Sequence, residues 1–231
     1  MEKQLKALIK KLEKNKREYY AYLRGAPFII WFMDKKQMKY NKNRVEEKLN
    51  YFGIWLKTMD LEMEKKKDCG KEFLEIIRGK KSSKKTLPIE LTKKIKSFIK
   101  TKQCQTSFEK LYLSVINGKK SKNIKELIKN RKATGDNLAE CILGLIEKDI
   151  SKFHGQFREF LHESMKMNQL MDSYVDMEED YKKGELKFKP SLHAKNALRL
   201  SLFKSTLKNS IKLPSTALFL RSGIKSLKKL K

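Results

Sequence analysis

The sequence predicts an all-α fold of about eight helices in a single domain, residues 1–231. Apolar residues recur at spacings of three, four and seven along almost the whole chain, as they do on the buried face of amphipathic helices. Only four prolines and ten glycines occur, and turn residues do not recur at the intervals typical of β-sandwiches and barrels. Since 39% of the residues are apolar, the chain can bury a core and should fold.

The first half of the chain contains three long predicted helical stretches. Residues 2–23 form an amphipathic helix, and Pro27 is expected to break it because proline lacks the backbone N–H that a helix interior needs. The apolar stretch 27–33 is then predicted to be either a buried helix or one that lines a cavity. A third helix is predicted from about residue 44 to 68, followed by a basic loop at 79–86.

The second half is divided by single residues that start or stop helices. Pro88 can begin a helix, Asp136 is a plausible N-cap, and Gly184 can terminate the longest periodic stretch. The predicted helices lie at about residues 89–103, 106–117, 123–131, 136–150, 152–183 and 191–208, with a last one running from Pro214 to the terminus.

The net charge of +28 suggests an anionic partner, namely nucleic acid, an anionic membrane or a phosphorylated metabolite. Only eight of the 55 basic residues are arginine, although phosphate and base recognition favour the arginine fork. A generally solvated lysine-rich surface explains the charge as well. Nucleic acid is therefore the less favoured partner.

Five acids within nine positions contradict this basic composition: Asp172, Asp176, Glu178, Glu179 and Asp180. On a helix, residues 172, 176 and 180 are separated by four positions, so their carboxylates line one face within about 80° of arc. Like charges at this spacing repel unless a cation neutralises them. Oxygen ligands in a row suit Mg²⁺, which also binds substrate phosphates.

A second acidic row has the same spacing on the predicted helix at 44–68. It consists of Asp60, Glu64 and Asp68, and three lysines intervene at positions 65–67. For both rows the alternative interpretation is a solvated helix face whose acids form salt bridges.

The stretch from Gln169 to Asp180 resembles the second aspartate-rich motif of class I isoprenoid synthases, closest to the squalene/phytoene synthase family. Gln169, Asp176, Glu179 and Asp180 stand at the offsets of that motif. Asp172 stands where that family has Asn and where linear polyprenyl diphosphate synthases have Asp. The stretch from Asp60 to Glu64 is similar to the first motif, with Glu64 replacing an Asp.

The resemblance implies a helical bundle around a central cavity and a Mg²⁺-dependent reaction of a prenyl diphosphate. Mg²⁺ would be held by the residues that also act in catalysis: Asp60, Glu64, Asp172, Asp176 and Asp180. Substrate contacts would come from Lys57, Gln169, Glu179 and Lys183, which lie in or beside the two motifs. Four aromatic residues, Phe28, Trp31, Phe52 and Trp55, could line a dry pocket for the carbocation, although aromatics at helical spacing are also typical of a plain core.

A non-catalytic alternative remains open, namely a basic helical protein that binds nucleic acid or an anionic membrane. It is favoured by Glu64 in the first motif and by Val175, which stands where squalene and phytoene synthases have Arg. No apolar run approaches the length of a membrane span. We therefore expect a cytoplasmic protein, which could touch a membrane peripherally through a basic amphipathic helix at residues 213–231. That helix could equally close the domain.

Overall fold

A computed structural model describes residues 20–65, 69–151 and 155–212. This part of the chain forms α1 (Tyr20–Lys35), α2 (Lys42–Lys65), α3 (Cys69–Ile77), α4 (Leu87–Phe98), α5 (Lys102–Lys119), α6 (Ile124–Ile146), α7 (Gly155–Lys182) and α8 (Leu192–Lys212). A single 3₁₀ turn, Glu147–Asp149, follows α6. The all-α prediction of about eight helices is confirmed.

The chain divides into two compact units. One comprises residues up to Glu109 together with Cys141–Phe157, and the other comprises Lys110–Glu140 together with the residues from Arg158 onward. In the first unit, α1 packs on α2, and α2 packs on α3 and α4. In the second, α6, α7 and α8 share an apolar cluster that includes Leu127, Leu170 and Leu198. The expectation of one domain around a central cavity stays a prediction.

Pro27 lies inside α1 and does not break it, so the predicted break is wrong. Proline at this position leaves the carbonyl oxygen of Leu23 without its helical donor. The helix continues because the residues around Pro27 are buried in the core of the first unit. These are Ala26, Ile29, Ile30, Phe32 and Met33.

The predicted break before Asp136 is also wrong, because α6 runs unbroken through Gly135. Gly135 faces the backbone of α7, and a Cβ built on it would lie 2.5 Å from both Cα and N of Lys166. Glycine is therefore needed for close helix packing and not for a turn. In the sequence alone, a glycine needed for helix packing cannot be distinguished from a glycine that marks a loop.

The predicted helix at 44–68 differs from the structure at its C-terminal end. α2 ends at Lys65 and the short helix α3 follows, which the sequence analysis did not predict. α3 buries Phe73, Ile76 and Ile77. The nine residues of α3 are too few to show a clear helical period in the sequence, although in the structure these three side chains lie on one buried face.

The predicted stop at Gly184 is confirmed, and it shapes the end of the acidic row. Gly184 adopts a positive φ of 73°, and its N–H donates to the carbonyl of Tyr181 at 3.0 Å. The N–H of Glu185 donates to the carbonyl of Asp180 at 2.8 Å. This is the Schellman arrangement, which turns the chain sharply after α7. It places Glu185 beside the last carboxylate of the row.

Across the described ranges, none of the helices combines the length and the apolar character that a bilayer span requires. The predicted basic amphipathic helix at 213–231 lies outside the described residues.

Candidate metal and diphosphate site

The acidic row of Asp172, Asp176 and Asp180 lies on one face of α7 in the second unit. Asp172 is exposed, whereas Asp176 and Asp180 are half-buried. The opposite face of α7 places Leu170 and Met177 in the apolar cluster shared with α8. The 3.6-residue period of the helix thus separates a buried apolar face from a carboxylate face, as the sequence predicts.

Asp180, at the end of the row, has a strongly shifted pKa. Burial raises its pKa to about 6, and the negative charges of Glu185 and Asp176 act in the same direction. Arg131 and Lys183 oppose the shift. The Asp180 side chain keeps 21% of its surface exposed, and its Oδ2 lies 3.6 Å from a terminal guanidinium nitrogen of Arg131. Asp180 is therefore a desolvated carboxyl group with crowded negative neighbours.

Arg131 is a functional candidate that the sequence analysis missed. It projects from α6, and its Nε is buried without a hydrogen-bond partner. The Arg131 guanidinium is therefore paired with Asp180 through a terminal nitrogen but not fully satisfied. The acidic motif on α7 does not predict this contact, because Arg131 belongs to a different helix, α6.

The other acids of this stretch form ion pairs with neighbouring bases. Glu179 contacts Lys183 at 2.8 Å, and this lysine lowers the pKa of the Glu179 carboxyl. Glu178 contacts Lys195 of α8 at 2.9 Å. Gln169 is half-buried on the preceding turns of α7. Lys183, predicted to meet a diphosphate, thus has a carboxylate partner in the structure.

The first acidic row is described only in part. Asp60 lies on α2 in the first unit, with its carboxylate 3.5 Å from the ammonium of Lys57. Glu64 lies within α2, and its side chain is outside the described residues, as is Asp68. Joint metal binding by this row and the α7 row stays a prediction.

The predicted aromatic lining separates into two stacked pairs in the first unit. Phe52 and Trp55 stack at 5.9 Å and pack edge-on against Phe108, in the buried core. Phe28 and Trp31 stack at 5.8 Å, and Trp31 is 40% exposed. Their contact with a substrate stays a prediction.

A shallow pocket of about 100 Å³ in the first unit is lined by other residues: Phe32, Lys36, Met38, Gln156 and Phe157. Its volume is smaller than the several hundred Å³ typical of small-molecule sites. None of the four predicted aromatic residues lines it.

No set of three or more His, Cys, Asp or Glu side chains is grouped as metal ligands within residues 20–65, 69–151 and 155–212. No family model, curated protein or solved structure matches this chain. The relationship to isoprenoid synthases therefore stays a prediction from the motif residues.

A charged network on α6 and α7 was also missed by sequence analysis. The ring nitrogens of His162 lie 2.7 Å from a carboxylate oxygen of Asp136 and 2.7 Å from one of Glu140. Asp136 also contacts Lys166 at 3.4 Å. The sequence does contain a signal for this network. Asp136 and Glu140 are four residues apart on one predicted helix, and His162 and Lys166 are four residues apart on the next.

His162 should make stability depend on pH. Hydrogen bonding to Asp136 raises the pKa of His162 above its ordinary 6.5, with Glu140 adding to the rise and burial opposing it. Stability from the imidazolium is therefore fully present below about pH 6.5 and is lost as pH rises through the folded-state pKa. His162→Gln should lower the free energy of unfolding by about 1 kcal/mol at pH 5.5 and by less at pH 8.5.

Urea denaturation at the two pH values measures this effect. His193→Gln is the matched control, because His193 is exposed on α8. Equal losses for His162→Gln at both pH values would show that the imidazolium makes no net contribution.

Proposed function

We propose that this protein is a Mg²⁺-dependent synthase or transferase that ionises an allylic prenyl diphosphate, in the manner of the squalene/phytoene synthase type. The observation that carries the proposal is the carboxylate face of α7. Asp172, Asp176 and Asp180 share one face of a long helix, two of them are half-buried, and the row ends beside Arg131.

A magnesium ion on this face would have to rely on one or two protein carboxylates, because the described residues contain no grouped set of three or more His, Cys, Asp or Glu ligands. Mg²⁺ typically binds through one or two protein carboxylates together with waters and substrate phosphates. Asp176 and Asp180 would supply two such groups, and Asp172 lies on the same face at its exposed end. A cation there would offset the repulsion that Asp180 experiences from Asp176 and Glu185. Arg131, whose side chain keeps 19% of its surface exposed, would offer guanidinium nitrogens to a phosphate oxygen beside the same carboxylate.

Bound Mg²⁺ would supply positive charge that stabilises the departing pyrophosphate. The chain's own contribution would be to hold and neutralise the diphosphate through the guanidinium of Arg131 and the ammonium of Lys183, which also pairs with Glu179. Contact of Phe52 and Trp55 with a carbocation stays a prediction, because both rings are buried in the core of the first unit.

The test is release of pyrophosphate from farnesyl or geranylgeranyl diphosphate by the full chain, with and without Mg²⁺. Asp176→Asn should lower the magnesium-dependent rate at least about a hundredfold, because it removes one charged group from the transition-state environment. Glu178→Gln is the matched control, since Glu178 lies on the same helix but off the carboxylate row. Equal rates for wild type and Asp176→Asn would overturn the catalytic proposal.

One observation favours the second candidate, a non-catalytic basic helical protein that binds an anionic polymer or surface. Asp180, Glu179 and Glu178 each have a basic partner in the structure, which is how a structural salt-bridged face is built. This candidate requires no pyrophosphate release. It requires instead binding that weakens steeply with salt and is unaffected by Asp176→Asn.

A further inference from the structure

The outer face of α8 presents large apolar side chains to solvent. Leu192 is 74% exposed and Phe203 is 63% exposed, and Leu200 and Leu207 are each more than half exposed. At about 100° per residue these four positions fall within about 80° of arc, and the exposed Asn196 lies between Leu192 and the other three. We call Leu192, Leu200, Phe203 and Leu207 the α8 stripe.

The opposite face of the same helix is already used in the core of the second unit. Ala194, Leu198 and Leu202 are buried in the apolar cluster with α7. Within the part of the chain that the structure describes, α8 therefore has apolar side chains on both faces, and only the face in the cluster with α7 is covered. A helix of this kind in a protein is typical of a surface that receives a partner.

Cationic residues border the stripe. Arg199 lies on one edge, where its guanidinium contacts the ring and the hydroxyl of Tyr174, and Lys204 lies exposed on the other edge. The helix from Leu192 to Lys212 contains five basic residues and no acidic residue. The occupant of this face is therefore expected to be both apolar and anionic.

We propose that the α8 stripe docks the protein on an anionic lipid membrane. Leucine and phenylalanine would enter the boundary between headgroups and acyl chains, while Arg199 and Lys204 would contact lipid phosphates. The inference is independent of the proposed catalytic function.

Charge argues against the other occupants. A second copy of this face would bring acid-free cationic helices together. The segment at 213–231, with five basic and no acidic residues, and the segment at 1–19, with seven basic and three acidic residues, are cationic as well. Nucleic acid would satisfy the bases but would leave three leucines and a phenylalanine in water, because its contacts are mainly with phosphates.

The test is co-sedimentation of the full chain with vesicles of equal parts phosphatidylcholine and phosphatidylserine. A triple variant, Leu200→Gln, Phe203→Gln and Leu207→Gln, keeps every charge and changes only exposed side chains. We expect it to bind at least about tenfold more weakly than wild type at the same salt concentration. Vesicles of phosphatidylcholine alone should bind wild type more weakly than the anionic vesicles.

The matched control is Leu113→Gln, which removes a leucine that is 56% exposed on α5 and does not belong to the α8 stripe; it should bind as wild type does. Wild-type-like binding by the triple variant would overturn the proposal, because charge alone would then hold the protein. The proposal would also be overturned if wild type failed to sediment with anionic vesicles. It would likewise be overturned if wild type were a dimer in solution and the triple variant a monomer. A DNA duplex could instead bind more tightly than the vesicles do, with the same affinity for wild type and the triple variant. That result would overturn membrane docking and assign the face to nucleic acid.

Discussion

Gly135→Ala is expected to destabilise the protein by about 3 kcal/mol, the upper part of the range for overpacking a tight core. Its Cβ would lie 2.5 Å from backbone atoms of Lys166 and 2.8 Å from the carbonyl carbon of Met165. Backbone atoms cannot move aside as a flexible side chain can, so α6 and α7 must separate. Separation would also disturb the apolar cluster that these helices share with α8.

Chemical denaturation of the two proteins measures the difference. Gly118→Ala is the matched control, because Gly118 is also in a helix and a Cβ there would meet no atom within 4 Å. That control should be neutral or stabilising by up to about 1 kcal/mol, since alanine favours a helix over glycine. A Gly135→Ala protein as stable as Gly118→Ala would mean that α6 and α7 do not approach as closely as the structure shows.

Lys48→Met is expected to cost about 3 to 5 kcal/mol, because it leaves a buried carboxylate without its cation. The Lys48 ammonium pairs with Asp149, whose side chain is 5% exposed, and Lys48 itself is 11% exposed. It also donates to the carbonyl of Leu145 at 2.7 Å. Arg44 lies 4.0 Å from the other carboxylate oxygen of Asp149, but Arg44 is mostly exposed and compensates weakly.

Thermal and urea denaturation measure this loss. Lys80→Met is the control, because Lys80 forms a solvent-exposed pair with Glu75 and should change stability by less than about 1 kcal/mol. Combining Lys48→Met with Asp149→Asn should recover part of the loss, because the unpaired charge is then removed. An unchanged midpoint for Lys48→Met would contradict the importance of the buried pair.

The helical class and several helix ends follow from the sequence, because they depend on local patterns. Gly184 ends α7 because glycine tolerates a positive φ, and this property can be recognised from the residue type alone. Gly135 shows the limit of that reasoning. It has the same side chain but a different role, since its need for glycine comes from the backbone of α7, which is about thirty residues away in the chain.

The candidate site was predictable to a similar extent. The spacing of Asp172, Asp176 and Asp180 predicts one carboxylate face, and the structure shows all three on α7. Arg131 was not predictable, because it meets Asp180 only through the packing of α6 against α7. Pro27 failed as a helix breaker for a comparable reason, since burial of its neighbours outweighs the lost hydrogen bond.

Calorimetric titration of the full chain with pyrophosphate, in the presence and absence of Mg²⁺, tests the carboxylate face of α7 most directly. We expect wild type and Glu178→Gln to bind pyrophosphate only with Mg²⁺, and Asp176→Asn to bind it at least about tenfold more weakly. Magnesium-independent binding of equal strength in all three proteins would contradict the account, because lysines and arginines alone would then hold the anion.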